Sequence, residues 1–483
     1  MMIRACTWST IIGGLPRRFL SRGTRHQQEE VSLGIKMNLN LAWMAENIDD
    51  VATNIKLRNS DADAYKVKQL YEEVVGKKKE CERIRSERKR IAKEMSNKSL
   101  EPDRRPGLIA AAKGLKQDLA KEEASLEDLQ EILNTHATRI PNLTSPETPP
   151  IEEKLIGLIN AVTERDVTED IGDGTSEDHM RIGRKLGILD FDSTSKVAGQ
   201  SHACFLKGDA ALLELALVNF ALSYVQKKGF VPVITPDIAR RTIIERCGFN
   251  PKNQENLDSQ VYQLEDSDLC LIGTSEIPLA GMMSSELLDE KTLPQKYVAY
   301  SHCFRREAQG SGTEGGLYRM HQFTKVEMFA FSSSRQSDSI FHEILEIQRE
   351  IFELLELECR VVEMPAIDLG APAYRKVDIE AWMPGRRKYG EISSASNCLD
   401  YQSRRLDIRY RPSEMGSNAS LPDDDKSRSG SGKTAYVHTL NGTACAVPRT
   451  MIAIMEQHQT PDGGVTVPQV LRPFLQKDVI TLV

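Results

Sequence analysis

The sequence of 483 residues lacks clustered cysteines. Its nine cysteines are scattered along the chain, and no two of them form a C-x-x-C pair. A structural zinc site needs clustered thiolate or imidazole ligands, so we expect no structural zinc. An odd number of cysteines in a chain of this length also argues against a disulfide framework. We therefore expect buried, reduced thiols.

Long apolar runs are also missing. The best candidate, Ala210–Val225, is interrupted by Glu214 and Asn219 and predicts a buried helix instead of a bilayer span. We therefore expect no membrane partner. The charged residues comprise 63 Lys and Arg against 70 Asp and Glu, for a net charge of −7. Binding to an acidic polymer would consequently need a local basic patch.

Acidic residues are absent from the first 28 positions. This segment, Met1–Gln28, contains five arginines among Ser, Thr and apolar residues: Arg4, Arg17, Arg18, Arg22 and Arg25. An arginine-rich leader without acids is typical of a mitochondrial import sequence, and a disordered basic tail is the alternative. We predict a targeting leader over residues 1–35 and a location in the mitochondrial matrix.

Two long polar segments follow, Asp61–Met95 and Pro106–Ile140, and each has a narrow apolar seam. The spacing predicts two helices that pack against each other, because so thin a seam buries little alone. Ser96–Arg105 contains turn-forming residues and would join them. The seam residues are Val67, Leu70, Val74, Cys81, Ile84, Ile91 and Met95 in the first helix, and Leu108, Ala112, Leu115, Leu119, Leu126, Leu129, Leu133 and Ile140 in the second.

The distal part of this predicted arm is basic. Between Lys77 and Arg105 there are 12 Lys and Arg residues against 6 acids. Such a patch on an acidic chain could contact a phosphate backbone, or it could be an ordinary solvated helix face. The candidate contacts are Lys77, Lys78, Lys79, Arg83, Arg85, Arg88, Lys89, Arg90, Arg104 and Arg105.

From Ile151 onward the pattern becomes a mixture of helices and strands. Helical stretches, Ala210–Lys227 and Phe341–Leu357, alternate with closely spaced strand-like runs, which predict an antiparallel sheet flanked by helices, an α+β fold. We predict an arm over residues 36–150 and a catalytic domain over 151–483, with a surface loop at Ser413–Lys433. The runs are Phe230–Ile234, Tyr297–His302, Val326–Ala330, Arg404–Tyr410 and Ala435–Leu440.

Arginines and carboxylates recur in four clusters within these strand-rich segments. Arg suits a bidentate grip on phosphate oxygens, and carboxylates suit an ammonium group or a hydrated Mg²⁺. Each cluster alone could instead be a structural salt bridge. The clusters are Gly273–Glu276; Phe304–Glu307 with Arg319–Phe323 and Lys325–Glu327; Glu391–Ser394 with Ser396-Asn397 and Gln402–Arg405; and His438–Thr443 with Val447–Arg449.

Taken in order, these clusters resemble the class II aminoacyl-tRNA synthetases, and specifically the seryl enzymes. Gly229–Pro236 looks like motif one, Phe304–Phe323 looks like motif two, and the stretch ending at Arg449 looks like motif three. More particular seryl strings are Phe205–Asp209, Thr274–Glu276, His321–Glu327, His438–Thr443 and Ile140–Leu143. The resemblance covers roughly residues 38–475 and implies ATP and L-serine as substrates.

The resemblance implies a role for each matching residue. Glu327 would receive the serine amino group and hydroxyl. Arg305 would hold the serine carboxylate and the α-phosphate, and Arg449 would grip the γ-phosphate end, so these three are the implied catalytic residues. The implied serine pocket is Thr274, Ser275, Glu276, Glu327, Asn441 and Thr443.

The implied ATP site is larger. Glu307 and Phe323 would contact and stack on the adenine, Arg319 would join Arg449 on the phosphates, and Glu391 and Ser394 would hold Mg²⁺. The full set is Arg305, Arg306, Glu307, Arg319, Met320, Phe323, Glu391, Ile392, Ser393, Ser394 and Arg449.

The domains that accompany the catalytic core differ between class II enzymes of different amino-acid specificity. Only 34 residues follow Arg449, too few for a C-terminal anticodon-reading domain. The N-terminal arm resembles that of seryl enzymes, which reaches the tRNA body, so the resemblance implies mitochondrial tRNA-Ser as partner and a homodimer through motif one. A synthetase-like factor without catalysis, binding RNA or another protein, is the competing interpretation. A purely structural coiled-coil protein would leave the C-terminal two-thirds unexplained.

Overall fold

The computed structural model describes residues 37–97, 101–165, 177–198, 202–249, 261–307, 315–413 and 434–482. The predicted leader over residues 1–35 lies outside these ranges. So do residues 308–314 within the predicted motif two, and nearly all of the predicted Ser413–Lys433 loop, at 414–433. The predicted domain boundaries stay predictions.

The N-terminal part is helical, and its two long helices form the predicted antiparallel arm. Two short helices, α1 (Leu41–Glu46) and α2 (Ile48–Leu57), precede α3 (Ala64–Met95) and α4 (Arg105–Ala137). Helix α3 begins where the Asp63 carboxylate accepts a hydrogen bond from the Lys66 backbone N–H at 2.9 Å, because that donor has no partner inside the helix. A 3₁₀ turn at Pro102–Arg104 leads into α4.

The arm core is thin and comes in two pieces. Of the predicted seam of α3, all residues but Met95 are buried, whereas only Leu119, Leu133 and the post-helical Ile140 are buried from the second seam. One cluster lies at the root with α1 and α2, and a smaller one joins Cys81, Ile84 and Leu119. Between the two clusters, the Lys77 ammonium on α3 pairs with the Glu122 carboxylate on α4 at 2.5 Å.

An eight-stranded sheet organises the rest of the chain, in the order β1-β10-β11-β12-β15-β9-β8-β4. Neighbouring strands are antiparallel except β4 and β8, which are parallel. This confirms the predicted fold class. The strands are β1 (Lys154–Ile159), β4 (Val231–Ile234), β8 (Gln295–Phe304), β9 (Gln322–Ser332), β10 (Cys359–Glu363), β11 (Arg375–Met383), β12 (Lys388–Asn397) and β15 (His438–Ala446).

Short strands and further helices surround this sheet. The strands are β2 (Leu189–Asp190), β3 (Phe205–Leu206), β5 (Ile238–Arg240), β6 (Leu269–Leu271), β7 (Leu287–Asp289), β13 (Arg409–Arg411), β14 (Ala435–Tyr436), β16 (Val465–Thr466) and β17 (Val479–Ile480). The helices are α5 (His179–Lys185), α6 (Asp192–Ala198), α7 (Asp209–Lys227), α8 (Arg241–Arg246), α9 (Glu276–Met282), α10 (Ser337–Leu354), α11 (Tyr401–Leu406), α12 (Val447–Gln457) and α13 (Arg472–Leu475).

Strand β9 shows how the two faces of the sheet differ. Its even-numbered residues Val326, Met328 and Ala330 join the larger core cluster, which contains α7, α10 and α12. Its odd-numbered residues Phe329 and Phe331 join the second cluster, which includes residues of α8 and α9. Because side chains alternate along a strand, the odd-numbered residues earlier in β9 face the side occupied by α9.

The arm is docked on the body through a buried arginine. Arg58, which follows α2, donates hydrogen bonds from its guanidinium to the backbone carbonyls of Asn142 (3.2 Å), Ala373 (3.0 Å) and Gly370 (2.6 Å). It is only 5% exposed. Burial lowers the pKa of Arg58 to about 10, and the group stays charged at neutral pH.

One predicted strand is wrong. Arg404–Tyr410 begins in helix α11 and reaches strand β13 only at Arg409. Arg404 and Arg405 are buried, and their guanidiniums stack on the rings of Tyr436 and Tyr401. Leu406, Ile408 and Tyr410 alternate with polar residues as in a strand. In the structure Leu406 ends α11, Ile408 lies between the helix and β13, and Tyr410 lies in β13, and all three are buried.

Within the described ranges, no helix has the length and apolar character that a bilayer span requires.

Candidate active site

A cleft opens on the face of the sheet formed by β9, β12 and β15 and has a volume of about 590 Å³ when the open solvent at its mouth is included. Arg305, directly after β8, and Arg449, in the first turn of α12, both line it although they are 144 positions apart in the chain. The other lining residues are Glu307, Leu317, Tyr318, Met320, Phe323, Lys325, Glu391, Ile392, Ser393, Ser394, Thr443, Ala446 and Pro448. Nine of the eleven residues of the predicted ATP site therefore meet in one cavity.

Strand alternation aims the side chains of β9 at this cleft. Phe323 and Lys325 line the cleft, and Glu327 continues the same face of the strand. The Arg305 guanidinium lies over the Phe323 ring, 5.3 Å from its centroid. A cation and an aromatic face are thus adjacent, which suits a ligand that carries both phosphates and a purine.

Glu327 is the centre of a buried polar pocket beside the cleft. Its carboxylate is fully buried and accepts a hydrogen bond from the Thr443 hydroxyl at 2.9 Å and from the Asn441 amide at 3.3 Å. The Lys325 ammonium pairs with it at 2.7 Å. Thr443 stands opposite Glu327 in the pairing of β15 with β9, so the sheet register itself brings them together.

A second buried carboxylate, Glu276, interacts with the charges of Glu327 and Lys325, and we therefore assign it to the same pocket. It is the first residue of α9, and its backbone N–H donates to the Thr274 hydroxyl at 3.3 Å. Burial raises the pKa of Glu276 to about 7, and the nearby charge of Glu327 adds to the effect. Ser275, between Thr274 and Glu276 in the sequence, is buried, and its hydroxyl has no hydrogen-bond partner within the described residues. The predicted serine-binding residues are therefore concentrated on α9, β9 and β15.

Arg449 is held in the cleft by a strand and an aromatic ring. Its guanidinium donates to the Glu391 carbonyl at 2.9 Å and to the Glu391 carboxylate at 3.2 Å. It also lies 5.1 Å from the centroid of the Tyr318 ring. These contacts hold a positive charge in the wall of the cleft.

The donors predicted for Mg²⁺ fit that ion chemically. Glu391 and Ser394 both line the cleft from β12 and offer a carboxylate and a hydroxyl, and Mg²⁺ prefers oxygen ligands and shares its coordination with water and phosphates. Although burial opposes it, the charges of Lys376, Arg449 and Arg305 together lower the pKa of Glu391, which favours the ionised ligand. In the described part of the chain, no group of three or more His, Cys, Asp or Glu residues could hold a metal on its own.

Two predicted ATP residues do not line the cleft. Arg306 is exposed. Arg319 donates to the Glu307 carboxylate at 3.2 Å, so the pair connects Arg319 to a residue that does line the cleft. The roles implied for these two side chains stay predictions.

Several site residues were missed by the sequence reasoning. Lys325 lines the cleft and is paired with Glu327, although no role was assigned to it. The period of two in Lys325-Val326-Glu327 could have revealed it, because both charged residues must share one face of a strand. Tyr318 lies against both Arg449 and Arg386, and nothing in the sequence pattern singled it out. Leu317, Ala446 and Pro448 were likewise unassigned.

The predicted RNA-contacting residues of the arm divide into two groups. Half of them form ion pairs within the arm: Lys77 with Glu122, Arg83 with Glu80, Arg85 with Glu123, Arg90 with Glu87, and Arg104 with Glu94. For the other half the described residues contain no ion-pair partner: Lys78, Lys79, Arg88, Lys89 and Arg105. Of these, all but Arg88 are exposed.

Comparison with known proteins agrees with this geometry. Residues 260–422 match the tRNA synthetase class II core domain (G, H, P, S and T), and residues 39–144 match the seryl-tRNA synthetase N-terminal domain. A serine–tRNA ligase of Treponema denticola is 40% identical over 92% of this chain and 100% of its own length. One of Rubrobacter xylanophilus is 41% identical over 92% and 99%.

Two solved structures have the same fold. The seryl-tRNA synthetase of Pyrococcus horikoshii complexed with ATP superposes with a TM-score of 0.81, at 34% identity over 93% of this chain and all of that one. The cytoplasmic serine–tRNA ligase of Naegleria fowleri in complex with AMP gives 0.74, at 27% identity over 93% and 99%.

The antiparallel sheet and its arginine-lined cleft are those of a class II aminoacyl-tRNA synthetase, which confirms the enzyme class predicted from the sequence. The helical arm and the relatives narrow this further. The chain belongs to the seryl-tRNA synthetase family.

Proposed function

We propose that this chain activates L-serine with ATP to seryl-adenylate and transfers the seryl group to mitochondrial tRNA-Ser. The observation that carries the proposal is the meeting of Arg305 and Arg449 on one cleft beside the pocket of Glu327, Thr443 and Asn441. The cations suit a triphosphate, and the buried acceptors suit an amino acid with an ammonium group and a hydroxyl.

The chemistry follows from this arrangement. The serine carboxylate attacks the α-phosphorus and displaces pyrophosphate. Since that carboxylate is already ionised, no general base is required. The chain's own residues orient the two substrates and neutralise charge on the phosphate oxygens, Arg305 near the attacked phosphate and Arg449 at the far end. Mg²⁺ bound through Glu391 and Ser394 would supply further charge neutralisation.

Specificity for serine has a physical account in the same pocket. Thr443 and Glu327 are buried polar groups that already bond to each other. Bound alanine would bury polar groups of the site without offering a hydroxyl to them, and such a site can reject the analogue by on the order of 10⁴-fold.

Serine-dependent ATP–pyrophosphate exchange tests the proposal directly. We expect exchange with L-serine that requires Mg²⁺, followed by charging of tRNA-Ser transcripts. Exchange at background level with L-serine would overturn the proposal and favour a synthetase-like factor that binds RNA or a protein without catalysis. The intact set of Glu276, Arg305, Glu327, Thr443 and Arg449 in the sequence is the observation against that alternative.

The mitochondrial part of the proposal is supported by the acid-free leader with its five arginines. Residues 1–35 fused to a fluorescent protein should direct it to mitochondria, and the same fusion with Arg4, Arg17, Arg18, Arg22 and Arg25 changed to Ala should stay in the cytosol. Cytosolic location of the unchanged fusion would remove this part of the proposal and leave the ligase activity standing.

We also propose a homodimer. Strand β4 is an end strand of the eight-stranded sheet, and it exposes Val231 and Ile234, the latter 85% exposed. Leu212 and Leu215 on the neighbouring α7 are exposed as well. Exposed apolar residues on adjacent elements are typical of a surface buried in an oligomer. Sedimentation should give a dimer, and Ile234→Glu should give a monomer.

A further inference from the structure

Gln402 is a buried side chain next to the amino-acid pocket that the proposed chemistry does not use. It lies in α11 and is fully buried. Its Nε2 donates to the Glu276 carboxylate at 2.5 Å and to the Cys247 backbone carbonyl at 3.3 Å. Its own Oε1 has no hydrogen-bond partner among the described residues. A buried acceptor without a partner is costly. The two hydrogen bonds that the Nε2 end of the amide donates must therefore outweigh the cost of leaving Oε1 unpaired.

The surroundings fix which way this amide points. Both neighbours, the Glu276 carboxylate and the Cys247 carbonyl, are acceptors, and only the NH₂ end of an amide can donate to them. Gln402 therefore presents two N–H groups and cannot turn its oxygen toward Glu276 without losing both hydrogen bonds. One oxygen of the Glu276 carboxylate thus accepts a hydrogen bond from a neutral donor.

Charge balance explains why a neutral donor matters here. The pocket contains two carboxylates, Glu276 and Glu327, and one ammonium, Lys325, so it carries one net negative charge when all three are ionised. The substrate ammonium would neutralise it. A second lysine in place of Gln402 would remove the negative charge that attracts the substrate, whereas an apolar residue would leave a buried carboxylate without its hydrogen bond.

The other groups near Glu276 do not replace this hydrogen bond. Burial and Glu327 raise the pKa of Glu276 to about 7, while Gln402 and then Lys325 act against that rise. The thiols of Cys247 and Cys398 also interact with Glu276, and burial keeps the pKa of both well above the ordinary thiol value. These thiols therefore stay protonated and neutral, and Gln402 is the neutral side chain that donates a hydrogen bond to the Glu276 carboxylate.

We propose that Gln402 is a positioning residue for amino-acid binding: its amide holds the Glu276 carboxylate as a second acceptor for the ammonium group of the substrate. The proposal rests on the proposed function, since it specifies how that pocket takes its substrate. Gln402 touches Glu276 and not the reacting atoms, so its effect falls on the binding of serine and leaves the ATP site unchanged.

Two variants test this through opposite pH dependences. Gln402→Leu removes the donor, so Glu276 ionises less readily; the KM for L-serine in pyrophosphate exchange should rise roughly tenfold at pH 7 and recover as the pH increases. Gln402→Glu keeps the size of the side chain but donates only when the introduced carboxyl is protonated. Its KM for serine should therefore be close to that of the unchanged protein at low pH and should rise above it as the pH increases. The KM for ATP should change less than about twofold in both.

Gln457→Leu is the matched control. Gln457 is a partly buried glutamine whose Nε2 donates to the backbone carbonyls of Glu358 and Trp382, at 3.1 and 2.8 Å, and it contacts no residue of the pocket in these hydrogen bonds. Its loss should leave the KM for serine unchanged at every pH. Thermal unfolding of all three variants separates loss of fold from loss of binding, and the near-isosteric Gln402→Glu keeps the test valid if Gln402→Leu does not fold.

The outcomes are distinct. Serine KM values that match the unchanged protein across the pH range in both variants would overturn the inference. So would parallel increases in the KM for serine and ATP with the same pH trend, because these would indicate a general structural disturbance. Absence of serine-dependent exchange in the unchanged protein would instead refute the proposed function, and this inference would fall with it.

Discussion

The arm and the catalytic body use charged residues in opposite ways. On the arm, ion pairs such as Arg83–Glu80 and Arg90–Glu87 join side chains one turn apart on an exposed helix face. In the body, Glu327 and Lys325 form a pair in which the carboxylate is fully buried and the lysine nearly so. Exposed pairs contribute little and exchange readily for other partners, whereas buried charges are costly to leave unpaired.

This difference suggests what each region can do. The arm can exchange its internal carboxylates for phosphates at small energetic cost, so its cations remain available to RNA even where they are paired. The body cannot rearrange its charges without leaving one of them buried and uncompensated, so its pocket stays organised before the substrate arrives.

The largest effect should follow from Glu327→Gln. The change removes an ionised acceptor and leaves the Lys325 ammonium without its carboxylate, so kcat/KM for serine should fall by about 10³-fold or more in pyrophosphate exchange. Glu353→Gln, which breaks the exposed pair with Arg349 on α10, is the control and should have no effect. Similar losses in both variants would erase the distinction between buried and exposed charges.

The next effect concerns the joint between the two regions. Arg58→Met keeps the length of the side chain but removes the guanidinium. The Ala373 carbonyl then loses its donor, while the Asn142 and Gly370 carbonyls keep the Asn54 amide and the Ala373 backbone N–H. Urea unfolding should show a loss of about 3 kcal/mol. Arg83→Met on the exposed arm should produce no measurable change. A stability close to that of the unchanged protein for Arg58→Met would show that other contacts dock the arm.

A smaller effect is expected from charge reversal on the arm. Changing Lys78, Lys79 and Lys89 together to Glu should reduce kcat/KM for tRNA-Ser charging roughly 10- to 100-fold and flatten its dependence on salt, because phosphate contacts are lost. Pyrophosphate exchange should be unaffected. The control is the same change at the exposed residues Lys113, Lys116 and Lys121 of α4. An equal loss in the control would mean that the RNA contact is not specific to distal α3.

The smallest effect is a pH dependence. Glu276 must be ionised to accept an ammonium, and its pKa is raised to about 7 by burial and by Glu327. The KM for serine should therefore rise roughly tenfold as the pH falls from 8 to 6, with no change in the KM for ATP. The free energy of unfolding should change with pH in the opposite direction to serine binding. Because the pKa of Glu276 is higher in the folded than in the unfolded chain, its protonated form adds stability at low pH, and this contribution is lost as the pH rises through about 7. A flat serine KM would show that Glu276 is already ionised at pH 6.

Some of this molecule could be predicted from periodicity and motifs. The heptad spacing of Val67, Leu70 and Val74 located the arm, because residues at this spacing lie on the same face of a helix regardless of what that face packs against. Arg305 and Arg449 were predicted to share a site only through the resemblance to a family. No local pattern contains the sheet order that brings β8, β12 and α12 around one cleft.

The remaining features depend on tertiary context. Arg404–Tyr410 was predicted as a strand because local alternation cannot show that Arg404 and Arg405 are buried against tyrosine rings. The pairing of Lys77 with Glu122 was not predicted, because it depends on the register between the two helices, which neither segment shows by itself. Arg404 and Lys77 have partners far away in sequence, Tyr436 and Glu122, whereas Arg405 stacks on Tyr401, about one helical turn away.

The grip of Arg58 on the body has an evolutionary consequence. Its acceptors are main-chain oxygens, which every amino acid carries, so substitutions at Leu369, Gly370 or Ala373 can accumulate without removing the acceptor that each supplies. The attachment thus tolerates drift on one side and depends on a single position on the other. We would expect homologous chains with unlike sequences in this loop to retain the arginine, so that arms could be exchanged between them as modules.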